Sequence, residues 1–431
     1  MGFADDADVT ELPLAEPKRE PWEGQWTNLD GDYLARAPQP RDWLLKQGAE
    51  GLFPAGKCGL LVAPGGVGKT MALAQLALAI ASGFDWLGRD GGRQGYSVPK
   101  PGKVLLVLGE EDREEAHRRL YAAAQNKQAF PFADAAELEH VPGKKYAVPI
   151  TEEEAFAEMR RAEAAERITL LTLAGMPCSF IARAADRYSE PTTSAFLDAF
   201  RAKLEREAGE EGWRAIIIDP LSRFAGLDAE TDNACATRFV QAIETLATVK
   251  GRPGIVVSHH TAKVARSDKD FGSDAAAARG SSALVDGFRW VANLVRLGDG
   301  VVRFGVSKSN YGPHGEPIHL RREEGGALVR MTDDEAAAAL GELGKKFVAS
   351  VDGPKVLELL ERCSMTPTAI LAALAKTKTN ESTAALGSFL RDKLISGELV
   401  QDAGKWARPG ATKPARASRK GPGGSHDDIE G

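Results

Sequence analysis

Residues Leu60 to Ser82 read LLVAPGGVGKTMALAQLALAIAS. An apolar run, Leu60 to Val62, ends in a loop holding Gly65, Gly66 and Gly68, then Lys69, Thr70 and apolar residues at helical spacing. Strand, glycine loop and helix in that order are the setting in which a Walker A match carries chemical meaning. Glycine permits the turns that aim successive N–H groups at phosphate oxygens, and the helix N-terminus adds the positive end of its dipole. The run Pro64, Gly65, Gly66, Val67, Gly68, Lys69, Thr70, Met71 is therefore the expected contact with a nucleotide such as ATP. Lys69 would reach the β- and γ-phosphates, and the Thr70 hydroxyl would join the shell of a Mg²⁺ ion. Ala63 stands where the strict pattern has its first glycine. The plainer alternative is a glycine-rich turn with an incidental lysine.

The bulk properties narrow the setting. The chain has 431 residues, enough for a large domain and a smaller one, and its 43% hydrophobic and 27% charged content is that of a soluble globular protein. A formal net charge of −6 excludes a protein that coats nucleic acid with its whole surface, while leaving room for a local basic channel. Cys58, Cys178, Cys235 and Cys363 lie far apart without CxxC or Cys/His pairing, which speaks against zinc and for a reducing compartment. There is no basic-then-apolar leader and no run long enough to span a bilayer, so a cytoplasmic protein without membrane contact is expected.

Along the chain, apolar runs alternate with helical patterns. Strands are expected at Lys103 to Leu108, Ile168 to Leu173, Ala215 to Ile218, Gly254 to Ser258 and Val301 to Ser307, with shorter ones at Ile318 to Arg321 and Ala327 to Val329. Helices fall between them, around Thr193 to Ala208 and Asn233 to Val249. This rhythm means an α/β fold with a mostly parallel, doubly wound sheet, whose sites gather at the carboxyl ends of the strands. The expected domains are a disordered extension (1–25), the α/β domain (26–344, with a polar helical insertion near 125–166), a C-terminal module (345–408) and a disordered tail (409–431). In that module three short helices and a hairpin around Ala403-Gly404 have the order of a winged helix-turn-helix.

The polar residues that close the strands carry the chemistry. IIIDP, Ile216 to Pro220, is Walker B-like, and Asp219 would hold the Mg²⁺ shell through water. Hydrolysis also needs a carboxylate to polarise the attacking water, and Pro220 rather than an acid follows Asp219. Glu111 is the expected residue, with Glu110 and Asp112 as competitors and an ordinary acidic helix start as the plainer reading. Of His259 and His260, adjacent on a strand and so on opposite faces, His259 is expected to face the nucleotide; the alternatives are polar strand caps or a metal pair. The polar stretch Thr261 to Ser282 is expected to be a long mobile loop.

Taken in order, APGGVGKT, LGEED, IIIDPLSRF, VSHHTAK, RGSSALVDGFRW and RFGVSKSNYG resemble the RepA-type replicative helicases of plasmids, hexameric members of the RecA-like ATPase superfamily. The match covers roughly residues 40 to 330, and its last two motifs are the most distinctive. The resemblance implies a RecA-like core, a ring of six copies, ATP and Mg²⁺ as cofactors, and replication proteins as further partners. It implies Lys69 and Thr70 as phosphate-loop residues, Glu111 as catalytic carboxylate, Asp219 as the Walker B acid and His259 as the link from γ-phosphate to DNA. Arg289 matches the arginine finger that enters the neighbouring subunit's site, against the plainer reading of a salt-bridged helix residue. Single-stranded DNA would be met by Lys263, Arg266, Lys269 and Arg279 in the loop that follows the histidines; a merely solvated loop is the alternative. The function so implied is translocation on DNA and duplex unwinding, with an ATP-switched regulatory or DNA-loading protein as the alternative.

Overall fold

The computed structural model describes residues 27–89, 94–126, 129–130, 152–182, 189–226, 229, 231–260, 282–298, 300–349, 353–362, 364–374, 386–387, 389–390, 393–394, 398–402 and 405–409. The chain divides into two units, Met1–Arg41 and Asp42–Gly431. In the first, helix α1 (Gly31–Ala35) is capped by Asp30, whose carboxylate accepts from the Tyr33 N–H at 2.7 Å.

The second unit opens with a hairpin, β1 (Trp43–Gln47) and β2 (Glu50–Pro54), followed by β3 (Cys58–Ala63) and α2 (Lys69–Ser82). Next come β4 (Lys103–Leu108), α3 (Arg113–Ala124), α4 (Glu152–Arg167) and β5 (Ile168–Thr172). A small antiparallel pair, β6 (Ile181–Ala182) and β7 (Thr192–Thr193), precedes α5 (Ala195–Glu207), β8 (Trp213–Asp219), α6 (Leu221–Phe224), α7 (Asn233–Leu246) and β9 (Gly254–His260). Then follow α8 (Ser282–Gly287), β10 (Trp290–Arg296), β11 (Val301–Ser309), β12 (Ile318–Arg322), β13 (Leu328–Arg330) and α9 (Asp333–Ala349).

Nine of these strands form one sheet in the order β13-β12-β11-β10-β3-β9-β8-β4-β5. The run from β10 to β5 is parallel throughout, and β11, β12 and β13 extend it as an antiparallel edge. The expected α/β class and mostly parallel, doubly wound sheet are thus what the chain forms. The central strands read as unbroken apolar runs because helices cover both faces. Leu61, Ala63, Leu106, Leu108, Ala215, Ile217 and Val256 join the core that includes α2. Their alternates Leu60, Val62, Leu105, Val107, Ile216, Ile218, Ile255 and Val257 join the core built with α5 and α7. This alternation decides which strand-end residues meet the phosphate loop.

Helix α2 is buried at every residue except Thr70, as a helix apolar on all sides must be. Its last carbonyls are capped from α4: Arg160 donates to Ser82 O at 3.3 Å and Arg167 to Ala81 O at 2.9 Å. Much of the stretch read as an insertion lies outside the described residues, but α4 runs directly into β5 and serves the layer over the sheet. The apolar stretch Ala283 to Leu297 is split between α8 and β10. The hairpin of β1 and β2 has no counterpart among the expected strands.

At the C-terminal end, α10 (Gly353–Arg362), α11 (Pro367–Ala373) and an antiparallel pair, β14 (Val400–Asp402) with β15 (Lys405–Ala407), surround a core of their own. Val356, Leu360, Ile370, Leu390 and Trp406 lie in it. Most of the expected third helix, the 403–404 turn, the tail from 410 and the extension 1–25 lie outside the described residues. Cys58, Cys178 and Cys235 are buried and form no disulfide, and no helix among the described residues is long and apolar enough to cross a membrane.

Candidate active site

Strand β3 ends at Ala63, which is fully buried and paired with His260. The position that departs from the glycine pattern is therefore still strand, where a β-carbon costs nothing. Left-handed backbone is needed further on, at Gly66 (φ 79°) and Gly68 (φ 106°). A β-carbon added at Gly65 or Gly66 would meet nothing within 4 Å, so the loop borders open space. Gly68 starts α2 without a side-chain cap. The first-turn N–H groups and the positive end of the helix dipole thus face the loop, an arrangement that would favour an anion there.

Lys69 and Thr70 occupy the first turn. Lys69 is 7% exposed, and its Nζ lies 3.3 and 3.4 Å from the two ring nitrogens of His260. Burial pulls its ammonium below the ordinary lysine value, against the opposing pull of Asp219 and Glu110. The Thr70 hydroxyl donates to Asp219 Oδ2 at 2.6 Å, and the Ser258 hydroxyl donates to Asp219 Oδ1. Residues from β3's loop, β8 and β9 thereby converge. A buried carboxylate beside a hydroxyl is a hard oxygen pair that suits Mg²⁺. Among the described residues no three His, Cys, Asp or Glu side chains converge as a metal cage, so an ion held here would need further oxygen ligands from outside the protein.

The alternation of faces corrects one expectation. Val256 on β9 and Ala215 and Ile217 on β8 belong to the α2 side, so Ser258, His260 and Asp219 point that way too. His259 belongs to the opposite side and is fully buried. It is His260, not His259, that meets the phosphate-loop lysine.

Glu111 follows β4, whose Leu108 pairs with Asp219 of β8. Asp112 caps α3 by accepting from the Glu115 N–H at 2.8 Å, which removes it from competition. Glu110 pairs with Arg223 of α6 at 3.3 Å, and Glu111 with Arg119 of α3 at 2.7 Å. Burial raises the Glu111 carboxyl above its ordinary value, Arg119 pulls it down, and Glu115, Asp219 and Glu110 push it up.

Arg289 is not brought to this site. Its N–H donates to Cys58 O and the next residue, Trp290, pairs with Gly59, so it stands at the amino ends of the strands. Lys69 follows the carboxyl end of β3, and about 15–20 Å of strand separates the two positions. The Arg289 side chain is exposed. Lys263, Arg266, Lys269 and Arg279 lie outside the described residues.

Three contributors were missed in the sequence. Ser258 is a polar residue near the end of an apolar strand, a signal that was available. Arg119 sits one helical turn beyond the acidic start of α3. Arg322 closes β12 and donates to Gly66 O at 3.2 Å, a contact between residues 256 positions apart that no local pattern encodes. Beside it, a cavity of about 470 Å³ is lined by Tyr121, Gln125, Asn126, Glu323 and Gly325.

A family profile described as an AAA domain matches residues 20–266. Among solved structures, the ATPase domain of G40P aligns over 64% of this chain and 85% of that one, at 17% identity and a TM-score of 0.42. A DnaB-like replicative helicase, described with its interactions with primase, aligns over 64% and 58%, also at 17% identity and TM-score 0.42. The RadB recombinase aligns over 65% and 94%, at 16% identity and TM-score 0.36.

Proposed function

The chain belongs to the AAA domain family (AAA_25), whose profile spans more than half of it, and we propose that it is a Mg²⁺-dependent ATPase that moves on single-stranded DNA as a ring. The observation that carries the enzymatic part is the Thr70–Asp219 hydrogen bond at 2.6 Å, which joins the phosphate loop to the tip of β8. In this reading the loop N–H groups and Lys69 hold the β- and γ-phosphates. Thr70 and Asp219 would hold the metal ion, whose charge would offset that developing on the phosphoryl oxygens. Glu111 orients the attacking water and takes its proton. His260, against Lys69, would respond to loss of the γ-phosphate. The cavity between α3 and the turn after Arg322 has room for the nucleoside.

The finer reading is a RepA-type helicase: a hexameric ring in which Arg289 completes the neighbouring subunit's site. Lys263, Arg266, Lys269 and Arg279 would line the pore against the DNA backbone. The C-terminal module (345–408) would be a winged helix that meets DNA or a replication partner. Support comes from the order of the motifs and from Arg289, which is exposed and too far from its own Lys69 to act there.

The test is steady-state ATP hydrolysis with and without single-stranded DNA, with Lys69→Ala as the inactive reference. Hydrolysis that DNA stimulates several-fold supports the motor. Slow hydrolysis indifferent to DNA overturns it and leaves an ATP-driven switch. Hydrolysis that survives Lys69→Ala overturns the ATPase site itself.

A further inference from the structure

We propose that Arg119 is a positioning residue for hydrolysis, holding the Glu111 carboxylate in the orientation from which it can act on water. The inference rests on the reading of Glu111 as the carboxylate that takes the proton of the attacking water.

The geometry is specific. The Arg119 guanidinium lies 2.7 Å from Glu111 Oε1 through one terminal nitrogen, while its Nε donates to Glu115 Oε1 at 3.0 Å. Glu115 is held one turn before Arg119 on α3, so the guanidinium plane is set by the helix rather than by Glu111. The loop residue Glu111 is thereby tied to a rigid element. A planar fork anchored at one end and donating at the other fixes direction as well as distance, which a lysine ammonium does less well. The adjacent Glu110 is held separately by Arg223 of α6, so the two neighbouring carboxylates are drawn to different arginines rather than competing for one. Both side chains of the inner pair are mostly shielded, Glu111 at 21% and Arg119 at 32% exposure, which spares the contact from full solvent screening.

Charge points the same way. The groups that act on Glu111 are Arg119 and Glu115 from α3, Asp219 from the end of β8, and Glu110 beside it. Three of the four are acids, and burial also disfavours the charged carboxylate. Arg119 is the one cation among them. A water-activating carboxylate must be ionised to accept a proton. Removing Arg119 leaves Glu111 among like charges, raises its pKa and protonates it at a pH where the intact protein keeps it ionised. The acid limb of the hydrolysis profile then moves to higher pH.

The experiment measures single-turnover ATP hydrolysis from pH 5 to 9 for the full-length wild type, Arg119→Gln, Arg119→Lys and Glu111→Gln. Binding of a fluorescent ADP analogue confirms that each variant is folded and loaded. In Arg119→Gln the acid limb is expected to rise by about one to three pH units, with nucleotide binding unchanged. Arg119→Lys restores most of that shift while recovering less of the plateau rate. A uniform fall across all pH values with the limb unmoved overturns the inference, since a merely structural arginine behaves that way. A variant faster than wild type overturns it as well. If Glu111→Gln hydrolyses ATP at the wild-type rate, the assignment of Glu111 fails first, whatever Arg119 does.

Discussion

The two ends of the central sheet are built differently. At the carboxyl ends, β3, β8 and β9 deliver Lys69, Thr70, Asp219, Ser258 and His260 into mutual contact, and Glu111 after β4 is held by Arg119. At the amino ends, Lys308 donates to the carbonyls of Val285 and Asp286 at 3.0 and 2.8 Å, and Arg289 faces outward beside a groove of about 480 Å³ between α7 and α8. The first end is preorganised: its groups are fixed before any ligand arrives, so charge developing in a reaction meets dipoles already in place. The second presents an exposed cation beside an open groove.

That contrast breaks most sharply by substitution at the phosphate loop. Lys69→Ala should lower the hydrolysis rate by roughly 10²–10³-fold or more, since it removes a charge donor aimed at the transferring phosphoryl group. Arg289→Ala should cost about 10³-fold if the residue acts as a finger, while nucleotide binding is kept. Mixing the two inactive proteins then sharpens the comparison. A Lys69→Ala subunit still supplies Arg289 to an Arg289→Ala neighbour with an intact loop, so activity should reappear in the mixture. Mixtures as dead as their components would overturn the reading of Arg289 as a finger acting across subunits.

The two histidines separate function from packing. His260→Ala should lower hydrolysis by about tenfold, within the range for loss of one site hydrogen-bonding group, with little change in melting temperature. His259→Ala should instead destabilise the fold by about 1–3 kcal/mol, visible in thermal unfolding, because the side chain is fully buried on the far face. The reverse outcome would restore His259 to the nucleotide side. An effect of similar size, on stability alone, is expected behind the loop, where Gln75 on α2 exchanges two hydrogen bonds of 2.9 Å with the backbone of Leu328 on β13. Gln75→Ala leaves that buried N–H and C=O unpaired and should cost about 1–3 kcal/mol of stability with the catalytic rate preserved.

Much of this molecule is legible in one dimension. The phosphate loop is a contiguous motif, and the runs KVLLVL and AIIID are long enough and apolar enough to be strands whatever surrounds them. The carboxylates that close those strands follow directly, because a parallel sheet puts all such ends on one edge. Departures arose where the pattern was silent. In VVSHH the strand is covered on both faces, so polarity does not alternate and nothing marks which histidine faces α2. The stretch Ala283 to Leu297 is apolar enough for either state, and the break at Phe288–Arg289 follows from pairing with β3.

The order of the central strands and the helices between them, the glycine loop and the acids that close the neighbouring strands were written in local composition and spacing. Which side of β9 meets Lys69, which arginine holds Glu111 and which holds Glu110, and the reach of Arg322 to Gly66 were decided only by folding. The physical reason is that these contacts join residues far apart in the chain whose facing depends on strand register and helix packing. In β9 a shift of one residue in register would exchange His259 and His260.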